Sequence, residues 1–265
     1  MFRYFLIFLV SLTSLLANVD AKPLKIVCHE FAPFSFQDSN NQITGILVEI
    51  ARLACKSWQQ GCEIELLPNK RAKKAFHSGQ ANGHFLGWNE ERATSIWFSV
   101  PMLETEYGFY SLKQSNLSKI NQLSSKSIGV LAPSNTYQSL LNIDLNQQQL
   151  GLEPMKIIML NSANQQPLRM LAIGRFDAYF VNRDVGAYYA IQLNISDLDY
   201  LSSNEKTHYY LGFKMQYNDY DTIKSFNHHL ATLLHQGVFD PLFKHWHVKT
   251  PKLNPSQYPS LNIPF

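Results

Sequence analysis

The 265-residue chain is short of charge. Asp, Glu, Lys and Arg supply only 16% of it, and 23 basic against 20 acidic residues leave +3. That balance is too even for a nucleic-acid binder, which gathers basic residues against phosphate. Cysteine is also scarce, with three, so no dense disulfide scaffold stands in for a core. No collagen period, sustained heptad or fixed-length repeat occurs, which excludes fibrous and solenoid architectures. Gly-x-Ser-x-Gly, His-Glu-x-x-His and a glycine-rich phosphate loop are all missing, so serine-hydrolase, zinc-protease and nucleotide-enzyme templates find no support. What is plentiful is apolar: 45% of the chain is hydrophobic, enough to bury a core and to exclude intrinsic disorder. At roughly 100–200 residues per domain, the length fits one large domain or two modest ones.

Met1–Ala21 opens with a lone Arg3, runs through the apolar stretch Phe5–Leu16 and reaches Val19-Asp20-Ala21. A charged start, a short apolar run and a small-residue site, in that order, read as a cleavable secretory signal. The run falls short of the ~20 residues that span hydrocarbon, and no later stretch approaches that length. The mature chain is therefore expected to be soluble and exported to the periplasm. An oxidising compartment permits disulfides. Cys55 ends a helical pattern and Cys62 opens a strand pattern, with Gly61 in the turn between them, so these two are the expected pair. Closing so short a loop contributes about 2–3 kcal/mol by chain entropy, less any strain. A metal site is the alternative, weakened by the lack of a clustered histidine. Cys28, inside the apolar run Leu24–Cys28, reads as a buried free thiol.

Leu24–Cys28 and Glu63–Leu67 read as strands on either side of a helix that follows Gly45 and places Ile46, Leu47, Ile50, Leu53 and Ala54 on one face. Lys70–His77 reads as a short basic helix, His84–Gly87 as an apolar turn and Tyr107–Leu112 as a strand. A second alternation follows. Strands are expected at Ser127–Leu131, Lys156–Leu160, Ala178–Val181 and Tyr209–Phe213, with helices from Thr136, over Pro167–Ile173 and over Val185–Gln192. Ile223, Phe226, Leu230, Leu233 and Leu234 recur at helical spacing, and Leu242–Trp246 adds a terminal helix. Such alternation predicts an α/β architecture with mainly parallel sheets. Residues 251–265 carry four prolines and read as an extended tail. His228 and His229 are neighbours on a helix and point apart, so they read as packed or solvated rather than as metal ligands.

Several short segments recur in a set order. The first half holds Phe31-Ala32-Pro33-Phe34, Gly45 before its helix, Pro68 through Arg71-Ala72, Gly79-Gln80-Ala81-Asn82, and Glu91-Arg92 before Phe98-Ser99-Val100-Pro101. The second holds Ile128-Gly129-Val130-Leu131, Gly174-Arg175-Phe176-Asp177-Ala178, and Gly237-Val238 ahead of Lys244-His245-Trp246. From Leu24 to about Val248 this order resembles the family 3 periplasmic solute-binding proteins, whose best-known members bind amino acids for import. The resemblance implies an α/β, two-lobed type II periplasmic binding protein fold with two crossover hinge segments. Lobe 1 would be residues 22–110 plus 208–250, and lobe 2 residues 111–207. A small-molecule ligand would sit in the cleft and bias a hinge closure. It also implies a monomer that serves an inner-membrane ABC permease, with no catalysis, cofactor or metal.

By the same resemblance, Arg92 matches the family arginine that grips a ligand carboxylate. The planar guanidinium can donate two parallel hydrogen bonds and keeps its charge when desolvated. Its plainer reading is a surface arginine in the turn Asn89-Glu90-Glu91-Arg92, paired with a nearby glutamate. Phe31 stands where relatives place an aromatic ring against the ligand. Glu30 beside it is a candidate ammonium receptor or an ordinary solvated carboxylate. Ser134 and Asn135 match a polar pair that precedes a helix, where side chains and free amides receive a carboxylate or simply cap the helix. Arg71 is a second candidate anion contact, while Lys70, Lys73 and Lys74 read as a solvated helix face.

Two departures bear on the ligand. Relatives that bind amino acids usually carry an Asp five residues after the Asp of the Gly-Arg-x-Asp-Ala stretch, to hold the ammonium. Here that position is Asn182, and Asp184 is the candidate substitute or a helix-start acid. The chain is also two residues shorter than the usual pattern between Asn82 and Arg92, which makes Trp88 and Asn89 candidate cleft residues, with Trp88 equally readable as packed. These changes point away from an ordinary α-amino acid and towards an organic anion, a modified amino acid or a small peptide. Fold alone does not fix function. An exported dehydratase-like enzyme with Glu30 as its acid, and a sensing subunit for a membrane receptor, are the alternatives.

Overall fold

The computed structural model describes residues 22–58 and 60–253. The expected signal segment and most of the tail lie outside them. Apolar β-branched runs become sheet and amphipathic runs become helix, largely in the expected order. β1 (Leu24–Cys28) leads through the hairpin β2 (Phe36–Gln37) and β3 (Ile43–Thr44) to α1 (Ile46–Ser57) and β4 (Cys62–Leu66). Then come α2 (Asn69–His77), β5 (Gly83–Gly87), the single turn α3 (Glu90–Ala93), β6 (Ile96–Phe98) and the long strand β7 (Leu103–Leu112). The second half holds β8 (Ser127–Leu131), α4 (Asn135–Gln149), β9 (Lys156–Leu160), α5 (Gln166–Ala172), β10 (Ala178–Asn182) and α6 (Arg183–Gln192). β11 (Leu198–Lys214) returns the chain to α7 (Tyr220–His235) and α8 (Asp240–His245).

Nine strands share one sheet in the order β4-β1-β5-β11-β7-β10-β8-β9, with β6 also pairing β11. The outer strands are parallel: β1 with β4 and β5, and β8 with β9 and β10. Parallel neighbours require crossovers, which the helices supply. The middle is antiparallel, because β7 and β11 run against each other and against β10 and β5. These two strands carry the chain between the halves. Leu198–Ser202 of β11 pairs with Leu112–Gly108 of β7, the register then slips, and Lys206–Tyr209 pairs with Glu106–Leu103. The register shift falls between Gly108 and Glu106 on β7 and between Ser202 and Lys206 on β11.

Local chemistry explains the joints. Gly45 has φ 110°, and a Cβ there would lie 2.6 Å from the Phe34 carbonyl carbon, so only glycine lets α1 start against the aromatic loop. The first amides of α1 are satisfied by that loop, Ile46 N donating to Pro33 O at 3.1 Å and Leu47 N to Phe34 O at 3.0 Å. Cys55 and Cys62 form the disulfide, their Cα atoms 5.3 Å apart, and Cys28 is a buried free thiol whose pKa burial pushes up to about 12.

Two segments differ from expectation. Gly83–Gly87 is a strand rather than a turn, because β1 and β11 supply hydrogen-bond partners from distant sequence. β11 begins at Leu198 rather than Tyr209, because its polar first part is zipped to β7. Helices cover the sheet, and the apolar side chains beneath them form separate clusters. Leu140 of α4 packs with Phe109, Val130 and Phe180, while Ala72 and Phe76 of α2 pack with Val27, Phe98 and Tyr210.

Candidate functional site

The ends of β1, β5, β8 and β10 converge with α2 and the start of α4 on one cavity of about 810 Å³. That is a normal size for a small-molecule site. Phe31 and Tyr209 form an aromatic wall, their ring centroids 5.8 Å apart in an edge-on arrangement.

Arg92 lines this cavity. Asn89 Oδ1 caps α3 by accepting from Arg92 N at 2.8 Å, which fixes the short turn that carries the side chain. Arg92 Nη1 donates to Gly87 O at 2.7 Å, orienting the guanidinium. Burial holds its pKa below the usual arginine value, opposed by Tyr107, Tyr209 and Glu91. It makes no ion pair among the described residues, so the surface pairing with a glutamate does not form. A half-buried cation without a counter-charge favours an anion in the space it faces.

Asn182 lines the cavity from the opposite side and is 2% exposed. Both lone pairs of its Oδ1 are engaged: it accepts from Asp184 N at 2.9 Å and Val185 N at 3.4 Å, capping α6. Its Nδ2 is a buried donor with no partner. The free end of Asn182 therefore offers a hydrogen bond to an acceptor and cannot receive an ammonium. Asp184 does not substitute. Its carboxylate takes Thr105 Oγ1 at 2.6 Å and the Arg183 guanidinium at 3.0 Å, away from the cavity lining.

Ser134, Asn135 and Thr136 bring the first turn of α4 to the cavity. The Ser134 hydroxyl is committed to the cap, accepting from Tyr137 N at 3.0 Å and donating to Leu131 O at 2.6 Å. What remains for a ligand is the amide end of the helix, a natural anion receptor. Asn135 also reaches across the cleft. Asn89 Nδ2 donates to its Oδ1 at 3.3 Å, and its Nδ2 donates to Trp88 O at 3.5 Å. Gly87 permits that approach, since a Cβ there would lie 3.2 Å from Asn135 Nδ2.

The structure brings Phe31, Arg92, Ser134, Asn135 and Asn182 together and leaves the other expected residues aside. Glu30 faces a separate pocket of about 330 Å³ with Tyr188 and Tyr189. Arg71 is exposed and off the lining. Trp88 is 40% exposed and contributes only its carbonyl, and Asn89 acts as cap and latch. In place of Arg71, Lys70, Lys73 and His77 of α2 line the cavity. They stand at i, i+3 and i+7, one helical stripe, so the solvated face expected for both lysines is exposed and also borders the cavity. The spacing is visible in the sequence, but that this stripe borders the cavity depends on α2 seating Ala72, Ala75 and Phe76 against the sheet. His29 and His84 complete the lining. His84 Nδ1–H donates to Val27 O at 2.9 Å, whereas His29 Nδ1 is buried without a partner.

Residues 24–249 match the bacterial extracellular solute-binding proteins, family 3. The chain belongs to that family. No curated protein matches it in sequence. Among solved structures, a histidine kinase sensor domain with similarity to periplasmic binding proteins superposes with TM-score 0.75 at 19% identity, covering 88% of this chain and 100% of that one. A structure reported with glutathione import through the cystine ABC importer of Streptococcus mutans gives TM-score 0.76 at 17% identity, covering 87% and 98%. The substrate-binding protein of an ABC uptake transporter from Streptococcus pneumoniae, with bound histidine, gives 0.72 at 17%, covering 86% and 95%. At such identities the likeness is one of fold, the two-lobed type II architecture. Membership in family 3 makes this a binding protein for small solutes. Among the described residues no helix is long and apolar enough to cross a membrane, and no cluster of His, Cys, Asp or Glu is built to hold a metal.

Proposed function

We propose that this is an exported, monomeric binding protein that captures a small carboxylate-bearing solute between two lobes and hands it to an inner-membrane ABC permease. Residues 1–21 act as its signal peptide. The lobes meet where the pairing of β7 and β11 slips in register, with residues 22–110 and 208–250 on one side and 111–207 on the other. The observation that carries the reading is Arg92: a half-buried guanidinium on the cavity wall, oriented by Gly87 and without a counter-charge. It works with the Asn182 Nδ2 donor and the α4 amide end. A carboxylate in this position accepts from both walls, so its binding favours the closed form.

The dehydratase alternative loses its acid, because Glu30 lies in a different pocket. Incubation with a bound solute separates the two readings: a carrier returns it unchanged, and an enzyme converts it steadily. The sensing alternative requires capture of a membrane receptor by the purified chain.

A thermal-shift screen over amino acids, carboxylates and short peptides tests the carboxylate reading directly. A solute at 100 times its dissociation constant raises stability by ~2.7 kcal/mol. Arg92→Ala is expected to abolish that rise while the unliganded melt changes little. An equal rise in the variant removes Arg92 from the site and defeats the reading.

A further inference from the structure

The cavity lining contains three cations, Lys70, Lys73 and Arg92, and no Asp or Glu at all. None of the three makes an ion pair among the described residues. The charges that act on the cavity histidines are of the same sign: Lys73 on His29, Lys73 and Arg92 on His77 and His84, and Lys214 on His77. One carboxylate at Arg92 leaves the two α2 lysines, exposed at the edge of the cavity, free to receive a second anion. An ammonium finds no receptor, because Asn182 Oδ1 already accepts from two backbone amides and Asp184 is turned to Arg183 and Thr105.

The groups also have an order in space. His29 stacks on Phe31 with centroids 5.9 Å apart, Phe31 meets Tyr209 at 5.8 Å, and Tyr209 lies within electrostatic reach of Arg92. An aromatic wall thus runs from the unpartnered His29 Nδ1, beside Lys73, to the guanidinium. We propose that the cavity takes a diacid without an ammonium, two anionic groups on an apolar body. One is held by Arg92, Asn182 and the α4 amides, and the other by Lys70 and Lys73 with His29. This rests on the carboxylate reading and adds the second acid, the apolar body and the missing amine.

Calorimetric titration of the purified protein with pimelate, its monoacid counterpart heptanoate, and glutamate tests it. Terephthalate against benzoate repeats the comparison on a flat body. In each pair the diacid is expected to bind at least about tenfold tighter than the monoacid, and pimelate tighter than glutamate, the second charge being worth about one charge-assisted hydrogen bond. In Lys70→Met/Lys73→Met the ratio of diacid to monoacid affinity falls towards one. Both lysines are exposed on α2, so the fold is expected to survive, and the ratio is read within a single protein. Lys73→Glu serves as a second variant and reverses the preference. Equal binding of diacid and monoacid, or tightest binding of glutamate, overturns the diacid assignment. In that event, loss of heptanoate binding in Arg92→Ala still supports carboxylate capture. A wild-type protein that binds none of these probes defeats both.

Discussion

The side of the cavity built by β1, α2, β5 and α3 carries Arg92, Lys70, Lys73 and three histidines, whereas the side built by β8, α4 and β10 offers Ser134, Asn135, Thr136 and Asn182 and no formal charge. Charge acts over distance and tolerates imprecise geometry, while amide donors act only at contact and in direction. In the proposed capture of a carboxylate, the charged side would attract the ligand and the neutral side would test its fit. The covalent structure divides the same way. The disulfide ties α1 to β4 on the charged side, while the neutral side depends on packing such as Phe109 and Phe180, whose rings lie 4.5 Å apart.

Removing the disulfide gives the largest expected effect and sharpens that division. Cys55→Ala/Cys62→Ala should cost about 2–3 kcal/mol of stability in chemical denaturation and leave ligand affinity unchanged, because neither residue lines the cavity. A large loss of affinity would mean that the staple shapes the charged wall.

Placing an acid on the neutral wall should break the asymmetry. Asn182→Asp keeps an oxygen to cap α6 and replaces the free Nδ2 donor with a carboxylate. Carboxylate affinity should fall about tenfold, ~1.4 kcal/mol, and zwitterion affinity should rise. Titration calorimetry reads both.

A pH series probes the charged wall alone. Burial, aided by neighbouring positive charge, holds His29 at about 3 and His84 at about 4. With folded-state values below the unfolded value of about 6.5, their contribution is present above that pH and is lost as pH falls towards the folded values. Between pH 6.5 and 5.5 each should take away about 1 kcal/mol, and the melting of His84→Asn should decline less steeply than that of the wild type. Parallel declines would show that His84 does not titrate on unfolding.

The smallest expected effect lies at the contact between the walls. Asn135→Ala removes the two bonds to Trp88 and Asn89, and should weaken ligand binding by about 0.5–1 kcal/mol, seen mainly as faster release in stopped-flow measurements. A slower release would mean that the latch opposes closure.

How much of this was legible in the sequence depended on whether the cause was local. Ser127–Leu131 and Lys156–Leu160 are apolar runs, and they form strands at those bounds. Gly83–Gly87, with glycines at both ends, reads as a turn and becomes a strand only because β1 and β11 flank it. The resemblance places Arg92, Phe31 and Asn182 at a cleft, and all three line the cavity. Lys70 and Lys73 are exposed, as a solvated face should be, but that this face borders the cavity follows from the seating of α2, which its sequence does not show. That the Asn182 amide donor is left over, and that Asp184 is taken, follows from Thr105 and Arg183, which are read only in three dimensions.

The slipped register between β7 and β11 sets how the molecule can move. On either side of it the two strands are laddered together and resist bending, whereas Ser203, Asn204 and Glu205 stand outside the ladder. They are tethered mainly by side chains: Ser203 Oγ to Tyr107 O, Asn204 N to Ser202 Oγ, and Glu205 to Ser139. In the proposed closure, this slip is where the two strands can bend. A bend confined to that slip would leave both walls of the cavity unchanged as they approach.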